Sequence, residues 1–146
     1  LPEPVRLSEA SRNVIERALR RTSRQIVLDA DDTIAVVRPA LFERALSNLI
    51  DNALKFDQSE ATIDVTIANG VVMVADRGPG IPDADLPNVF DRFHRSVASR
   101  TLPGSGLGLS IVAEFAAAHG GSVVARNRVG GGAEVGFSLP IAERNP

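Results

Sequence analysis

Apolar residues recur at helical spacing in three stretches of the chain. Leu7, Val14, Ile15, Ala18 and Leu19 fall on one stripe, with Arg12, Arg17, Arg20, Arg21 and Arg24 mostly opposite. That basic face reads as solvated, with a docking surface as the alternative. Ser8 is the expected N-cap of this helix, and residues 5–7 before it read as a short strand. Pro39 suits the first turn of a second helix, because its missing N–H is one that a helix start leaves unbonded anyway. Phe42, Ala45, Leu46, Leu49, Ile50 and Ala53 then repeat at helical spacing up to Phe56. A third helix over residues 107–119 ends at Gly120-Gly121.

Between the helices the pattern shifts to strands. Residues 26–28 and 34–37 read as two strands joined by an acidic turn from Asp29 to Asp32. Residues 62–68 alternate, and Asn69-Gly70 then predicts a tight hairpin into residues 71–75. Residues 122–127 and 133–139 predict a closing hairpin around Gly130-Gly131-Gly132. Helices and strands alternate, yet hairpins are frequent. This predicts an α+β sandwich, a mixed sheet with helices on one face, rather than a parallel doubly wound sheet. Residues 76–108 break the pattern: Gly, Pro, Ser and charged residues dominate, with a short helix expected near residues 83–93. The stretch is too long for an ordinary connection, which points to a functional or mobile segment.

Composition narrows the classes. The 146 residues suit one domain and are 44% hydrophobic and 23% charged, ordinary for a globular chain. Cysteine is absent, which excludes disulfides and thiolate metal or redox sites. A net charge of −2 gives no global basic field for nucleic acid. No apolar run approaches the roughly 20 residues of a membrane span, and no signal-peptide pattern opens the chain. The chain starts at Leu1 and is read as an excised piece, residues 1–146 forming one domain of a longer protein. Arginine is abundant, but Lys55 is the sole lysine.

Four groups of residues carry candidate chemistry. Asn48, Asn52 and Lys55 stand at i, i+4 and i+7, on a helical face distinct from the apolar stripe. Such a polar face is ordinarily just solvated, yet asparagine is a weak helix former. An amide oxygen suits Mg²⁺, and a lysine is a point charge for phosphate. Asp76-Arg77-Gly78-Pro79-Gly80-Ile81 follows a strand. Alone it is a turn, but its carboxylate can accept the exocyclic amine of adenine, and its glycines let backbone approach a flat base. Gly104-Ser105-Gly106-Leu107-Gly108 opens a helix, where glycine amides make an anion site, although such a run is as often a plain linker. Its spacing is neither a Walker loop nor a Rossmann fingerprint. Phe90, Phe93, His94 and Arg95 lie between, as a small apolar plug or part of a lid.

Each group is unspecific alone; the four in this order resemble the N, G1, F and G2 boxes of the GHKL superfamily. Within it the chain is similar to bacterial sensor histidine kinases, with wording nearest the actinobacterial PrrB type. The resemblance runs from about Val5 to Pro140 and includes His119-Gly120-Gly121 and the ending Gly131-Gly132, Phe137, Leu139-Pro140. It implies the two-layer α/β sandwich of the Bergerat fold, with a mixed, mostly antiparallel sheet and a mobile ATP lid. It implies ATP and Mg²⁺ as cofactors. Asn52, assisted by Asn48, would coordinate Mg²⁺, and Lys55 would contact phosphate. Asp76 would read the adenine amine in a pocket shaped by Gly78, Gly80 and Ile81. Gly104, Ser105, Gly106, Leu107 and Gly108 would close on the phosphates, and Arg95 and Arg100 would reach the terminal one. Asp51 and Phe56 would pack or support.

The superfamily's ATPases, and usually its serine kinases, place a glutamate general base four residues before the Mg²⁺-binding asparagine. That position is Asn48, and an amide cannot take a proton. The resemblance therefore implies a histidine kinase, with an ATPase or a nucleotide-binding module without catalysis as alternatives. Neither His94 nor His119 has the surroundings of a phosphoacceptor. The implied partners are the parent's own dimerisation and phosphoacceptor domain and a cognate response regulator, in a homodimeric parent. No nucleic acid and no membrane contact by this domain are expected; it would be cytoplasmic, in a parent anchored in the membrane.

Overall fold

The computed structural model describes residues 1–91 and 108–142. Among these residues seven strands and three α-helices follow in the order β1 (Glu3–Arg6), α1 (Leu7–Leu19), β2 (Ile26–Ala30), β3 (Ile34–Val37), α2 (Pro39–Phe56), β4 (Ile63–Ala68), β5 (Val71–Ala75), α3 (Gly108–Ala118), β6 (Ser122–Asn127) and β7 (Ala133–Ser138). Five strands form one sheet in the order β2-β4-β5-β7-β6; β2 and β4 are parallel and every other pair is antiparallel. β1 and β3 pair separately. This is the expected mixed, mostly antiparallel α+β architecture.

Alternation explains the layering. Ile63, Val65 and Ile67 of β4, Val72 and Val74 of β5, and Val135 and Phe137 of β7 point into one core with the helices. The alternate residues Thr66, Ala68 and Val71 are exposed, so the helices cover a single face. α2 supplies the apolar stripe read from the sequence, all six residues buried. At the centre Phe42, Phe115 and Phe137 meet edge to face, with centroids 5.3 to 6.2 Å apart. Such packing adds about 0.5–1.5 kcal/mol per pair beyond area burial.

Several local details differ from expectation. β1 covers Glu3–Arg6, and α1 starts at Leu7. The Leu7 N–H donates to the Thr33 carbonyl at 3.1 Å, so strand pairing launches the helix. Ser8 is therefore inside the helix and buried, and the cap position is Arg6. The two strands flanking the acidic turn join different sheets. The turn itself is pinned: Asp31 accepts the Asn69 N–H at 2.8 Å and the Thr33 N–H at 3.0 Å. The basic residues read onto α1 are partly paired, Arg17 on the helix to Glu43 and Arg21, just past its end, to Asp51 on α2. Arg24 lies beyond the helix and is nearly buried. Near residues 83–93 the described part holds one 3₁₀ turn, Leu86–Asn88; Pro87 within it lacks the N–H that an α-helix would need.

Two turns formed as read. Asn69 and Gly70 both take positive φ, 51° and 80°, the conformation of a tight hairpin. α3 ends with Gly120 at φ 77°; the Gly121 N–H reaches Ala116 O at 2.8 Å and the Gly120 N–H reaches Ala117 O at 3.3 Å. That pair of bonds satisfies carbonyls that a helix end leaves open.

Candidate functional site

α2 carries Asn48, Asn52 and Lys55, all half-buried, beside its buried stripe. The Asn48 Nδ2 is enclosed and has no hydrogen-bond partner among the described residues. A buried amide N–H left unpaired costs about 1–3 kcal/mol, and it is a donor suited to an oxygen acceptor; the Ser11 hydroxyl is orphaned in the same way. Gly108, the first residue of α3, sits directly against Asn48: a Cβ on Gly108 would meet Asn48 Cβ at 4.0 Å. Lys55 Nζ lies 5.3 Å from the Phe56 ring centroid. Asp51 pairs outward with Arg21 rather than supporting its neighbours in the motif.

Asp76 closes β5 and is 7% exposed. Its Oδ1 accepts the Gly78 N–H at 3.0 Å and the Ala133 N–H at 3.1 Å. Its Oδ2 accepts from no described residue. One oxygen is thus spent on holding the loop, and the other is uncommitted among the described residues. The Asp76 carbonyl receives the Arg128 guanidinium at 3.1 Å, and a Cβ on Gly132 would overlap that same carbonyl oxygen. Glycine at 132, with φ 96°, is what lets the β6–β7 turn close over the aspartate.

The glycines of this loop have different neighbours. Gly78 presses on the end of α2, where a Cβ would come within 3.0 Å of both Asp57 Cα and Phe56 O. Gly80 has φ 83° and faces Asn127. Asn127 grips Ile81 by both backbone groups, accepting its N–H at 2.7 Å and donating to its C=O at 2.8 Å. Ile81 in turn packs on the core.

Three residues in this frame escaped sequence reasoning. Asp57, at the end of α2, is fully buried and paired with Arg24 at 3.1 Å. Its Oδ1 accepts the Ser59 N–H at 2.8 Å and the Ser59 hydroxyl; its Oδ2 accepts the Arg77 N–H at 2.8 Å. Burial raises the pKa of this carboxyl; the bonds from Ser59 and the Arg77 amide, with the Arg24 charge, outweigh that and lower it from 3.8 to about 2. Asp57-Gln58-Ser59 is a turn signal in the sequence, but nothing there points to Arg24. Asn127 carried no signal either. His119 is structural, as its sequence context implied: Nδ1 meets Phe115 O at 2.8 Å and Nε2 accepts the Arg38 N–H at 3.2 Å, which assigns the proton to Nδ1.

The structure therefore brings the asparagine–lysine face, the Asp76 loop and Gly108 around one region. Phe93, His94, Arg95, Arg100, Gly104, Ser105, Gly106 and Leu107, with the expected lid, lie outside the described residues. Among the described residues no cluster of three or more carboxylates or histidines stands ready for a metal. Amide oxygens are among the hard ligands that Mg²⁺ accepts beside phosphate and water.

A one-sided α/β sandwich with a buried carboxylate beside a glycine loop and a polar helix face defines a nucleotide-binding class. Residues 37–143 match the family described as histidine kinase-, DNA gyrase B-, and HSP90-like ATPase, and the chain belongs to that family. It is 46% identical over 117 residues to the signal transduction histidine-protein kinase AfsQ2 of Streptomyces coelicolor, covering 77% of this chain and 22% of that protein. A mycobacterial sensor histidine kinase, MprB, superposes with a TM-score of 0.85 at 30% identity, over 97% of this chain and 98% of that one. The ATP binding domain of PrrB from Mycobacterium tuberculosis superposes at 0.77 with 27% identity, over 97% and 98%. The chain spans between 22% and 30% of the length of the curated relatives it matches.

Proposed function

We propose that this domain binds Mg-ATP and delivers its γ-phosphoryl group to a histidine on a separate dimerisation domain of a sensor kinase, for relay to a response regulator. One observation carries the reading: a buried carboxylate with one oxygen committed to its own loop and the other uncommitted among the described residues, beside a helix face that bears a buried amide unpaired among them.

The roles follow from the chemistry of each group. The uncommitted Asp76 oxygen accepts the adenine amine, and Gly78, Gly80 and Ile81 form the backbone rim. Asn52, with Asn48, offers amide oxygen to Mg²⁺, and Lys55 places its charge toward phosphate. When bound, Mg²⁺ neutralises charge that builds on the phosphate oxygens during transfer. Asn48 can orient but cannot deprotonate water, which disfavours hydrolysis. A neutral imidazole attacks without a base, so transfer to histidine asks the domain mainly for positioning. Arg95, Arg100 and the glycines at 104, 106 and 108, with Ser105 and Leu107, are assigned to closing over the phosphates. No helix among the described residues is long and apolar enough to cross a membrane. We place the domain on the cytoplasmic side of a membrane-anchored, homodimeric parent.

Supplying labelled ATP and a separate phosphoacceptor domain tests this. Acid-labile phosphohistidine on the acceptor is the expected product. Free phosphate without acceptor labelling identifies an ATPase instead, and nucleotide binding with neither product identifies a non-catalytic module.

A further inference from the structure

The nucleotide face of α2 and the adenine-reading loop are separate pieces of chain, and their relative placement decides whether base and phosphates can be held at once. A buried ionic hub joins them. Arg24, in the connection between α1 and β2, is 10% exposed and uses its whole fork. Nε and Nη2 donate to Ala61 O, Nη1 donates to Asp57 O at 2.6 Å, and Nη2 also meets Asp57 Oδ2 at 3.1 Å. That same Oδ2 receives the Arg77 N–H, the amide between Asp76 and Gly78. Asp57 directly follows the helix that carries Asn52 and Lys55, and Gly78 rests on its Cα.

We infer that Asp57, held by Arg24, is a positioning residue that sets the Asp76–Gly78 loop in register with the nucleotide face of α2. The assignment rests on the nucleotide site proposed above. Asp76 is the last position before the loop, and the next amide is tied to the end of α2 by a charge-assisted bond about 2.8 Å long. Loosening that bond lets the adenine acceptor drift relative to Lys55 and Asn52. A misplacement of about 1 Å is enough to cost orders of magnitude in a site that depends on orientation. Arg24 acts one step further back, by keeping the carboxylate ionised, aimed and desolvated. Lysine cannot replace its planar fork.

The test uses the 146-residue chain. Mg-ATP and Mg-GTP affinities are measured by titration calorimetry for the wild type, Asp57→Asn, Arg24→Lys and Asp64→Asn. All are compared at a temperature where each is folded, and exchange of the Arg77 amide is followed in parallel. Asp64 serves as the control because it anchors the same loop from outside, through the Arg77 and Arg128 side chains, and accepts no amide of the loop itself. Expected are an approximately tenfold loss of ATP affinity in Asp57→Asn, a smaller loss in Arg24→Lys, and a fall in the ATP-to-GTP ratio in both. Faster exchange at Arg77 should accompany them, with Asp64→Asn close to wild type. A purely structural role would lower the melting temperature but leave the ratio alone. Wild-type affinity and ratio in folded Asp57→Asn, or an equal loss in Asp64→Asn, overturns the inference. If Asp57→Asn does not fold, an unchanged ratio in Arg24→Lys overturns it. Failure of the wild type to bind Mg-ATP removes the site itself, which is a different result.

Discussion

Replacing Asp76 by asparagine changes one atom of the proposed adenine contact and little else. The new side chain can keep its oxygen where Oδ1 now accepts the Gly78 and Ala133 amides at 3.0 and 3.1 Å. The alternative rotamer would aim an NH₂ at two N–H donors and is disfavoured. The NH₂ therefore takes the place of Oδ2, and the site presents a donor to the donor amine of adenine. The fold loses some charge assistance in two bonds, about 1 kcal/mol together. Binding loses one hydrogen bond and leaves a donor unsatisfied in an enclosed site, about 1–3 kcal/mol. At about 1.4 kcal/mol per decade this is a loss of roughly 5- to 150-fold in ATP affinity. Calorimetric titration with Mg-ATP reads the affinity, and urea unfolding shows that the variant is native. An affinity within twofold of wild type, with the fold intact, would refute the adenine role of Asp76.

Three further outcomes follow from the same geometry. The Asp57 carboxyl, lowered from 3.8 to about 2, stabilises the fold by roughly 2 kcal/mol at neutral pH; this contribution is complete above about pH 5 and lost as the pH falls through 3.8 toward 2. Urea unfolding across that range should therefore be steeper in pH for the wild type than for Asp57→Asn, and parallel curves would contradict the assignment. Phe42→Ala removes the ring that meets both Phe115 and Phe137, and should cost about 3–5 kcal/mol in chemical denaturation. Gly132→Ala places a Cβ on the Asp76 carbonyl in a positive-φ residue. Loss of stability and of nucleotide affinity together is expected there, whereas Gly130→Ala, with open space around its Cβ position, should lose stability only through its φ of 92°.

Local physics made most of the fold legible. The apolar stripe of α2 matched its buried residues one for one, because a long amphipathic helix writes its period directly into the chain. Asn69-Gly70 and Gly120-Gly121 marked turns whose backbone only such residues adopt cheaply. The separation of β2 and β3 into different sheets was not legible, since strand partners are a long-range property. Ser8 misled for a related reason: a tertiary bond from Leu7 to Thr33 began the helix two residues early. At the site, Asn48, Asn52, Lys55, Asp76 and Gly78 stood out because unusual residue types interrupt a pattern. Asp57, Arg24 and Asn127 did not. They act through partners 20 to 46 positions away, and a lone charged or amide residue in a loop looks like any solvated one.

The proposed site holds ATP between α2, the Asp76 loop and the start of α3. Titrating ¹⁵N-labelled protein with Mg-ATP and mapping amide shifts tests it most directly. Shifts concentrated at Asn48, Asn52, Lys55, residues 76–81 and Gly108 are expected. An open groove of about 330 Å³ lies elsewhere, between α1 and β2, lined by Arg12, Glu16 and Asp29. Saturable shifts confined to that groove, with the Asp76 loop unmoved, would contradict the account.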